Sequence, residues 1–260
     1  MKDYLGLHLR DVPYFRALLR AVEARFYQDF SLLSPTLDLG SGDGHFASLA
    51  FDRPPDVGVD PWWNPTRAAS ELEIYPLLAC AEGAHLPFPD EYFASAVSNS
   101  VLEHIPDLDP VLWEMHRVLR PGARFAFCVP NHRFTEGLST ARFFDRLGWS
   151  RAAESYRSFF NRISRHQHTD NRAVWKARLE RSGFEIERSW HYFSPRALRI
   201  LEWGHYFGLP ALVSKLLFGR WILARRDWNL ALTRFLLSDV YQEDPIREDG
   251  AYTFYLTRRL

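Results

Sequence analysis

Little in this chain supports a cross-linked, strongly charged or membrane-spanning protein. Two cysteines in 260 residues make no disulfide framework. Both, Cys80 and Cys128, lie in apolar runs that read as strands, so they are expected as small core residues and not as a disulfide or a metal pair. Neither sign of charge is in excess: 32 basic residues balance 32 acidic ones, and the pI is near 7.2. That balance removes the electrostatic argument for nucleic acid as a partner. No long apolar run is unbroken. The most hydrophobic stretch, Phe207 to Ala224, is interrupted by Lys215 and Arg220, whereas a membrane span needs about 20 nearly uninterrupted apolar residues. Met1 to Arg10 lacks the basic-then-apolar pattern of a secretory signal, and a cytoplasmic location is expected. Internal repeats, low-complexity tracts and linkers are also missing.

Against these absences stands a composition that is 47% hydrophobic and 15% aromatic. That is enough for one well-buried core, and a single domain over residues 1–260 is expected. Val12 to Phe30 reads as an amphipathic helix, with Phe15, Leu18, Leu19, Val22 and Phe26 at helical spacing, ended by Ser34-Pro35. Short strands are expected at Thr36–Leu39, Asp56–Asp60, Leu77–Cys80, Phe93–Ser98 and Ala123–Val129. Helices fall between them: from about Gly44 to Phe51, after Pro65, and from Leu108 to Leu119, where Arg120-Pro121-Gly122 stops the run. Thr169 or Asp170 can cap a helix to Ser182, with Gly183 suited to its C-terminal end. Strands at Phe184–Phe193 and Tyr252–Arg258 complete the pattern. Such alternation predicts an α/β fold with a mainly parallel sheet and right-handed crossovers. Residues 131–168 and 195–250 exceed a minimal sheet and are expected to be insertions packed on it as a lid.

The strongest local signal is Asp38-Leu39-Gly40-Ser41-Gly42-Asp43-Gly44, which leaves a strand and opens a helix. Glycines there let the backbone turn tightly and approach a ligand closely, at the strand ends where open α/β sheets bind ligands. A dinucleotide site would need Gly-x-Gly-x-x-Gly, and its third glycine position is His45 here. An acid at Asp38 suits an ammonium better than a pyrophosphate, so an NAD-dependent oxidoreductase is disfavoured. Asp60 ends the second strand 22 residues after Asp38, where a carboxylate can accept from both ribose hydroxyls. Pro61 and Trp62 follow and could pack on an adenine face, and Glu82 at the third strand end could accept from its amino group.

With LDLGSGDG at residues 37–44, VGVD at 57–60, the run from Ala81 to Ile105 and the run from Glu114 to Asn131, the chain resembles the class I S-adenosylmethionine-dependent methyltransferases, within them the type 11 group. The resemblance implies a Rossmann-like sheet of seven strands with the last antiparallel, helices on both faces, and S-adenosylmethionine as co-substrate. It implies that Gly40, Ser41, Gly42 and Gly44 line the methionine end with Asp38 near its amino group. Asp60 would hold the ribose, Glu82 and the Gly83 backbone the adenine, and Asn99 and Ser100 would lie beside the sulfonium. Two departures are visible: Glu82 stands where an Asp is usual, and Gly122-Ala123 where a double glycine is usual.

Methyl transfer is an in-line displacement that mainly needs an oriented acceptor and no water, although a hydroxyl acceptor also needs a base. His104 and His166 are the candidate bases. Glu103-His104 corresponds to a segment in which some quinone-pathway enzymes bind a metal, but their first acid is Ser100 here, and no metal is expected. His132, Asn161, Arg162, Arg165, His166 and His168 form a second cluster, in which His166-x-His168 could ligate a metal but which is read first as meeting an anionic acceptor or serving as surface. Tyr192, Trp203, His205, Tyr206, Phe207, Trp221 and Trp228 admit three readings: an aromatic lid, an interfacial segment over 207–226 touching a membrane surface, or plain core. The expected partner is a small-molecule acceptor, apolar, lipid-linked or glycan-like. A non-catalytic S-adenosylmethionine-binding subunit or regulator is the alternative.

Overall fold

In a computed structural model, which describes residues 2–260, alternation along the strands divides the core between two faces of one sheet. In β1 (Thr36–Leu39), Leu37 and Leu39 join one apolar cluster, and Asp38 between them points to the other face. In β5 (Leu119–Pro130), Phe125, Phe127 and Val129 pack with Leu37 and Leu39, while Ala126 and Cys128 pack oppositely. The remaining strands are β2 (Val57–Asp60), β3 (Leu77–Cys80), β4 (Phe93–Asn99), β6 (Phe184–Tyr192) and β7 (Tyr252–Arg259). Their order is β3-β2-β1-β4-β5-β7-β6. Neighbours from β3 to β5 pair in parallel, and β7 runs antiparallel to both β5 and β6. This is the expected Rossmann-like topology.

Short α1 (Tyr4–Leu9) and α2 (Tyr14–Phe26) precede the sheet and cover the Asp38 face, together with α3 (His45–Ala50). The helix expected over Val12–Phe30 is α2, which starts after Pro13 and ends at Phe26 and not Phe30, and α1 before it was not expected. Helix α4 (Trp63–Glu71) follows β2. On the opposite face α5 (Asp109–Val118) and α9 (Arg172–Arg181) bury Met115, Trp175 and Leu179 against Phe125, Phe127 and Tyr255.

Several expectations are corrected. The Arg120-Pro121-Gly122 turn does not separate helix from strand. Leu119 already pairs with Phe93, and the chain bulges outward with Gly122 at φ +77° before pairing resumes at Ser95–Arg124. The cap of α9 is Asn171, whose Oδ1 accepts from the amides of Ala173 and Val174, while Asp170 pairs with Arg178. Cys80 is exposed because β3 is the edge strand, whereas Cys128 is buried in central β5.

Both insertions are helical. Residues 131–168 hold α6 (His132–Glu136), α7 (Ser139–Arg146) and α8 (Ser150–Ser164); residues 195–250 hold α10 (Pro195–Phe207), α11 (Leu209–Phe218) and α12 (Asp227–Tyr241). They are tied together by buried Glu202 of α10. Its carboxylate accepts from Ser139 N and Oγ at 2.6 and 2.7 Å, from Thr140 N at 3.0 Å and from Tyr156 Oη at 2.9 Å. Those amides open α7, so an acid from one insertion caps a helix of the other. Gly204 lets α10 press on α2, where a Cβ would lie 2.4 Å from that of Phe15. Among the described residues no helix is long and apolar enough to cross a membrane.

Candidate functional site

The turn after β1 is held by β2: the amides of Gly40 and Ser41 donate to Val59 O at 2.8 and 2.9 Å. Gly42 has φ +56°, a left-handed conformation that suits glycine, and a Cβ there would meet nothing within 4 Å. Space above this peptide is therefore open. At Gly40 (φ +78°) a Cβ would fall 2.4 Å from Val101. Ser41 is buried, and its Oγ has no partner.

Asp60 is fixed along this turn. Its Oδ2 accepts from Gly42 N at 3.0 Å and its Oδ1 from Trp62 N at 2.9 Å. Burial pushes its carboxyl up, and these two amides pull it back. Asp38 accepts from Tyr75 Oη at 2.6 Å. Burial raises its pKa to about 7, the Tyr75 hydroxyl opposing the rise and the Asp60 charge adding to it.

Asn99 and Ser100 end β4 as expected, but their side chains are already engaged. Asn99 Nδ2 donates to Glu23 Oε2 at 2.8 Å, and Ser100 Oγ donates to Glu23 Oε1 at 3.2 Å. Tyr192 Oη reaches the same Oε1 at 2.7 Å, so Tyr192 is a core residue of β6 and not part of a lid. Burial raises the pKa of Glu23 against these bonds. Pro61 and Glu82 are exposed, and the Glu82 side chain makes no described hydrogen bond or ion pair. Gly83 packs closely, a Cβ there lying 3.1 Å from Val111. Trp62 is 72% exposed.

Trp62 and Ser100 also line a cavity of about 1050 Å³. Its other walls are α2 (Phe15, Arg16, Arg20), the 3₁₀ turn Leu102–His104, and the end of α8 through Gln167. Glu103 is buried there, its Oε2 has no partner, and burial holds its pKa well above the carboxylate range. His104 Nδ1 lies 3.0 Å from Arg165 O, and its ring stacks on His166 at 5.6 Å. Burial lowers both imidazoles, His166 to about 3. Of the second cluster, Asn161, Arg162, Arg165 and His166 line the cavity. His168 turns away, with Nε2 at 3.0 Å from Ile105 O and Nδ1 at 3.4 Å from Asp170. His166 and His168 therefore share no ligand position, and among the described residues no group of three or more His, Cys, Asp or Glu is placed to hold a metal ion. Of the aromatic residues in the second insertion, Trp221 and His205 face the cavity, Trp203 and Phe207 stack on each other and are exposed, and Tyr206 Oη donates to Tyr156 Oη.

Sequence reading missed Glu23, Tyr75, Arg16 and Arg20. Glu23 had a signal, since it lies four residues after Leu19 on the buried stripe of α2, where an unpaired acid is anomalous. Arg16 and Arg20, also four apart, share a face. Tyr75 lies in a loop and had none.

Residues 37–127 match a family model described as a methyltransferase domain. A protein of Mycobacterium sp. (strain KMS), named "Uncharacterized methyltransferase", is 34% identical over 126 residues, 46% of this chain and 48% of that protein. A "Probable S-adenosylmethionine-dependent methyltransferase" of Mycolicibacterium smegmatis is 29% identical over 172 residues, 65% of this chain and 59% of that protein. The chain thus spans about half the length of the curated relatives it matches. Among solved structures, a SAM-dependent methyltransferase of Thermotoga maritima, titled a possible histamine N-methyltransferase, superposes with a TM-score of 0.57 at 12% identity. The match covers 94% of this chain and 90% of that one and shows a common fold.

Proposed function

We propose that the chain, which matches a methyltransferase-domain model over residues 37–127 and shares the fold of a SAM-dependent methyltransferase, is a class I S-adenosylmethionine-dependent methyltransferase that methylates a small-molecule acceptor held in the cavity beside Trp62 and Ser100. One observation carries this reading: the glycine turn with its two buried aspartates meets, at these two residues, a chamber large enough for a second molecule.

The residues fit the co-substrate. Space is open above Gly42, Ser41 Oγ lacks a partner, and Asp38 has no described cation beside it. In this reading Asp38 faces the methionine ammonium, Asp60 the ribose hydroxyls, Pro61 and Trp62 the adenine face, and Glu82 with the Gly83 backbone its edge. Asn99 and Ser100, anchored by Glu23, offer the backbone beside the sulfonium. S-adenosylmethionine supplies a methyl group on a cationic sulfonium whose sulfur leaves as a neutral thioether, so the chain's task is to orient the acceptor and exclude water. His166, lowered to about 3, is too weak a base to serve at neutral pH. His104 is also lowered and stays neutral there. Glu103, kept protonated by burial, has an oxygen free to hydrogen-bond an acceptor.

The test is incubation with methyl-labelled S-adenosylmethionine and separate polar and lipid extracts. Label should move into one fraction with stoichiometric release of S-adenosylhomocysteine. Tight binding of the co-substrate with no label transferred from either extract would favour the non-catalytic alternative.

A further inference from the structure

Resting on the reading of this cavity as the acceptor chamber, we propose that the acceptor carries a phosphoryl group, gripped by the guanidiniums of Arg16, Arg20, Arg162 and Arg165. Two come from one face of α2 and two from the end of α8, where Arg165 takes the left-handed conformation at φ +59°. The cations thus come from two separate elements. None forms a described ion pair with a carboxylate. Arg16 instead lies over the Trp221 ring at 5.4 Å. Some arginines elsewhere, such as Arg117, Arg178 and Arg258, bond carboxylates, while others, such as Arg142 and Arg151, form no described ion pair.

Among the described residues the cavity lining offers the four no charged acid, and outside it Glu23 alone has a described interaction with one of them, Arg20. Glu103, the one acid in the lining, is kept neutral by burial, and the two stacked imidazoles are neutral as well. Arg20 and Arg165 both disfavour the charged form of Arg16, after burial itself. Converging like charges are costly unless a ligand neutralises them. A single carboxylate would balance one guanidinium. A phosphate monoester or diphosphate brings two or more charges and several acceptor oxygens, which planar guanidiniums meet in bidentate fashion. Phe134, Leu201, Leu212 and Trp221 supply apolar wall for the rest of the molecule.

The probe is inorganic pyrophosphate, titrated calorimetrically into the whole chain in chloride buffer, with and without saturating S-adenosylhomocysteine. Saturable one-to-one binding is expected, weakened at least about tenfold by Arg162→Ala with Arg165→Ala and by Arg16→Ala, the loss of a charged hydrogen-bond donor. Arg151→Ala, outside the cavity, should leave it unchanged. Affinity for S-adenosylhomocysteine should be the same in all variants. Pyrophosphate binding that is absent, or equal in wild type and variants, overturns the proposal. Failure of S-adenosylhomocysteine to bind counts separately, against the co-substrate reading, because the pyrophosphate titration without it still scores the arginines.

The outer faces of α11 and α12 carry a second inference. Leu216, Leu217 and Phe218 on α11, and Leu232, Phe235 and Leu236 on α12, are each more than 60% exposed, a concentration that marks an interaction surface. From Trp203 to Arg226 the sequence holds Lys215, Arg220, Arg225 and Arg226 and no carboxylate. Leu212 and Trp221 of this segment also line the arginine cavity. We infer that this face lies on an anionic lipid surface, with the cavity opening beside it. Apolar side chains flanked by cations match an interface with acidic headgroups better than a second copy carrying the same charges. Sedimentation with phosphatidylserine-containing vesicles should recover the protein, pure phosphatidylcholine should recover at least about tenfold less, and salt should weaken binding. Leu216→Glu with Phe235→Glu should abolish it. Equal recovery with both vesicles, recovery with neither, or a dimer in light scattering that these substitutions dissolve, would each overturn the inference.

Discussion

Asp60 does two jobs in one place. It holds the Gly42 and Trp62 amides, and the proposed ribose contact adds to that load. Asp60→Ala should weaken S-adenosylhomocysteine binding by about 1–3 kcal/mol, the cost of leaving buried polar partners unpaired, and should also lower the melting temperature because two amides lose their acceptor. An unchanged dissociation constant in calorimetry would remove Asp60 from the ribose site. Asp38 gives a pH signature. Its folded pKa of about 7 against an ordinary 3.8 means that the native state retains a proton the unfolded chain releases. Its contribution to stability is therefore full below 3.8 and is lost as pH rises through about 7. Ligand affinity runs the other way: an ammonium beside Asp38 favours the carboxylate, so affinity should climb as pH rises through about 7. It should fall again at still higher pH, once the ligand's α-amino group loses its own charge. In Asp38→Asn the rising limb should disappear; a wild-type profile with no rising limb would detach Asp38 from the ammonium. Both aspartates were legible in the sequence because a strand end and a glycine turn fix where they lie. Tyr75 and the commitment of Asn99 and Ser100 to Glu23 were not, since those contacts join residues 37 and more than 70 positions apart.

At the scale of elements, the site depends on how the two insertions brace one another and α2. Glu202→Ala strips α7 of its cap and leaves Tyr156 Oη without its carboxylate. Proteolysis within residues 131–168 should accelerate while affinity for S-adenosylhomocysteine, proposed to bind at the strand ends, stays close to wild type. Equal proteolysis rates would show that Glu202 does not brace the two insertions. Gly204→Ala forces a methyl group into Phe15 and should cost about 1–3 kcal/mol of stability as overpacking, measured by denaturant titration. The strands were readable because period-2 alternation and a bounding turn coincide. Less was readable where context overrides local signal. Arg120-Pro121-Gly122 looks like a stop but is an outward bulge, tolerated because Leu119 is already paired to Phe93. Cys80 looks like core but lies on an edge that no further strand covers.

For the whole molecule, the proposed co-substrate site lies at three strand ends of the sheet, and the α2, α8 and α10 surfaces line a chamber beside it. Sequence reading placed the motifs of the first at strand ends, where the structure has them, because those motifs are local. The chamber is assembled from residues 15 to 252, so no window of sequence displays it; Arg162 and Arg165 were legible as candidates for an anionic acceptor, but Arg16 and Arg20 were not. The central claim is that Gly42, Asp60 and Ser100 bound a single adenosyl site facing that chamber. A crystal structure with S-adenosylhomocysteine tests it most directly. The ribose hydroxyls should lie within hydrogen-bond reach of Asp60 and the sulfur should point past Ser100 toward Arg162 and Arg165. Density for the ligand elsewhere, or with its sulfur turned away from the arginines, would contradict the account.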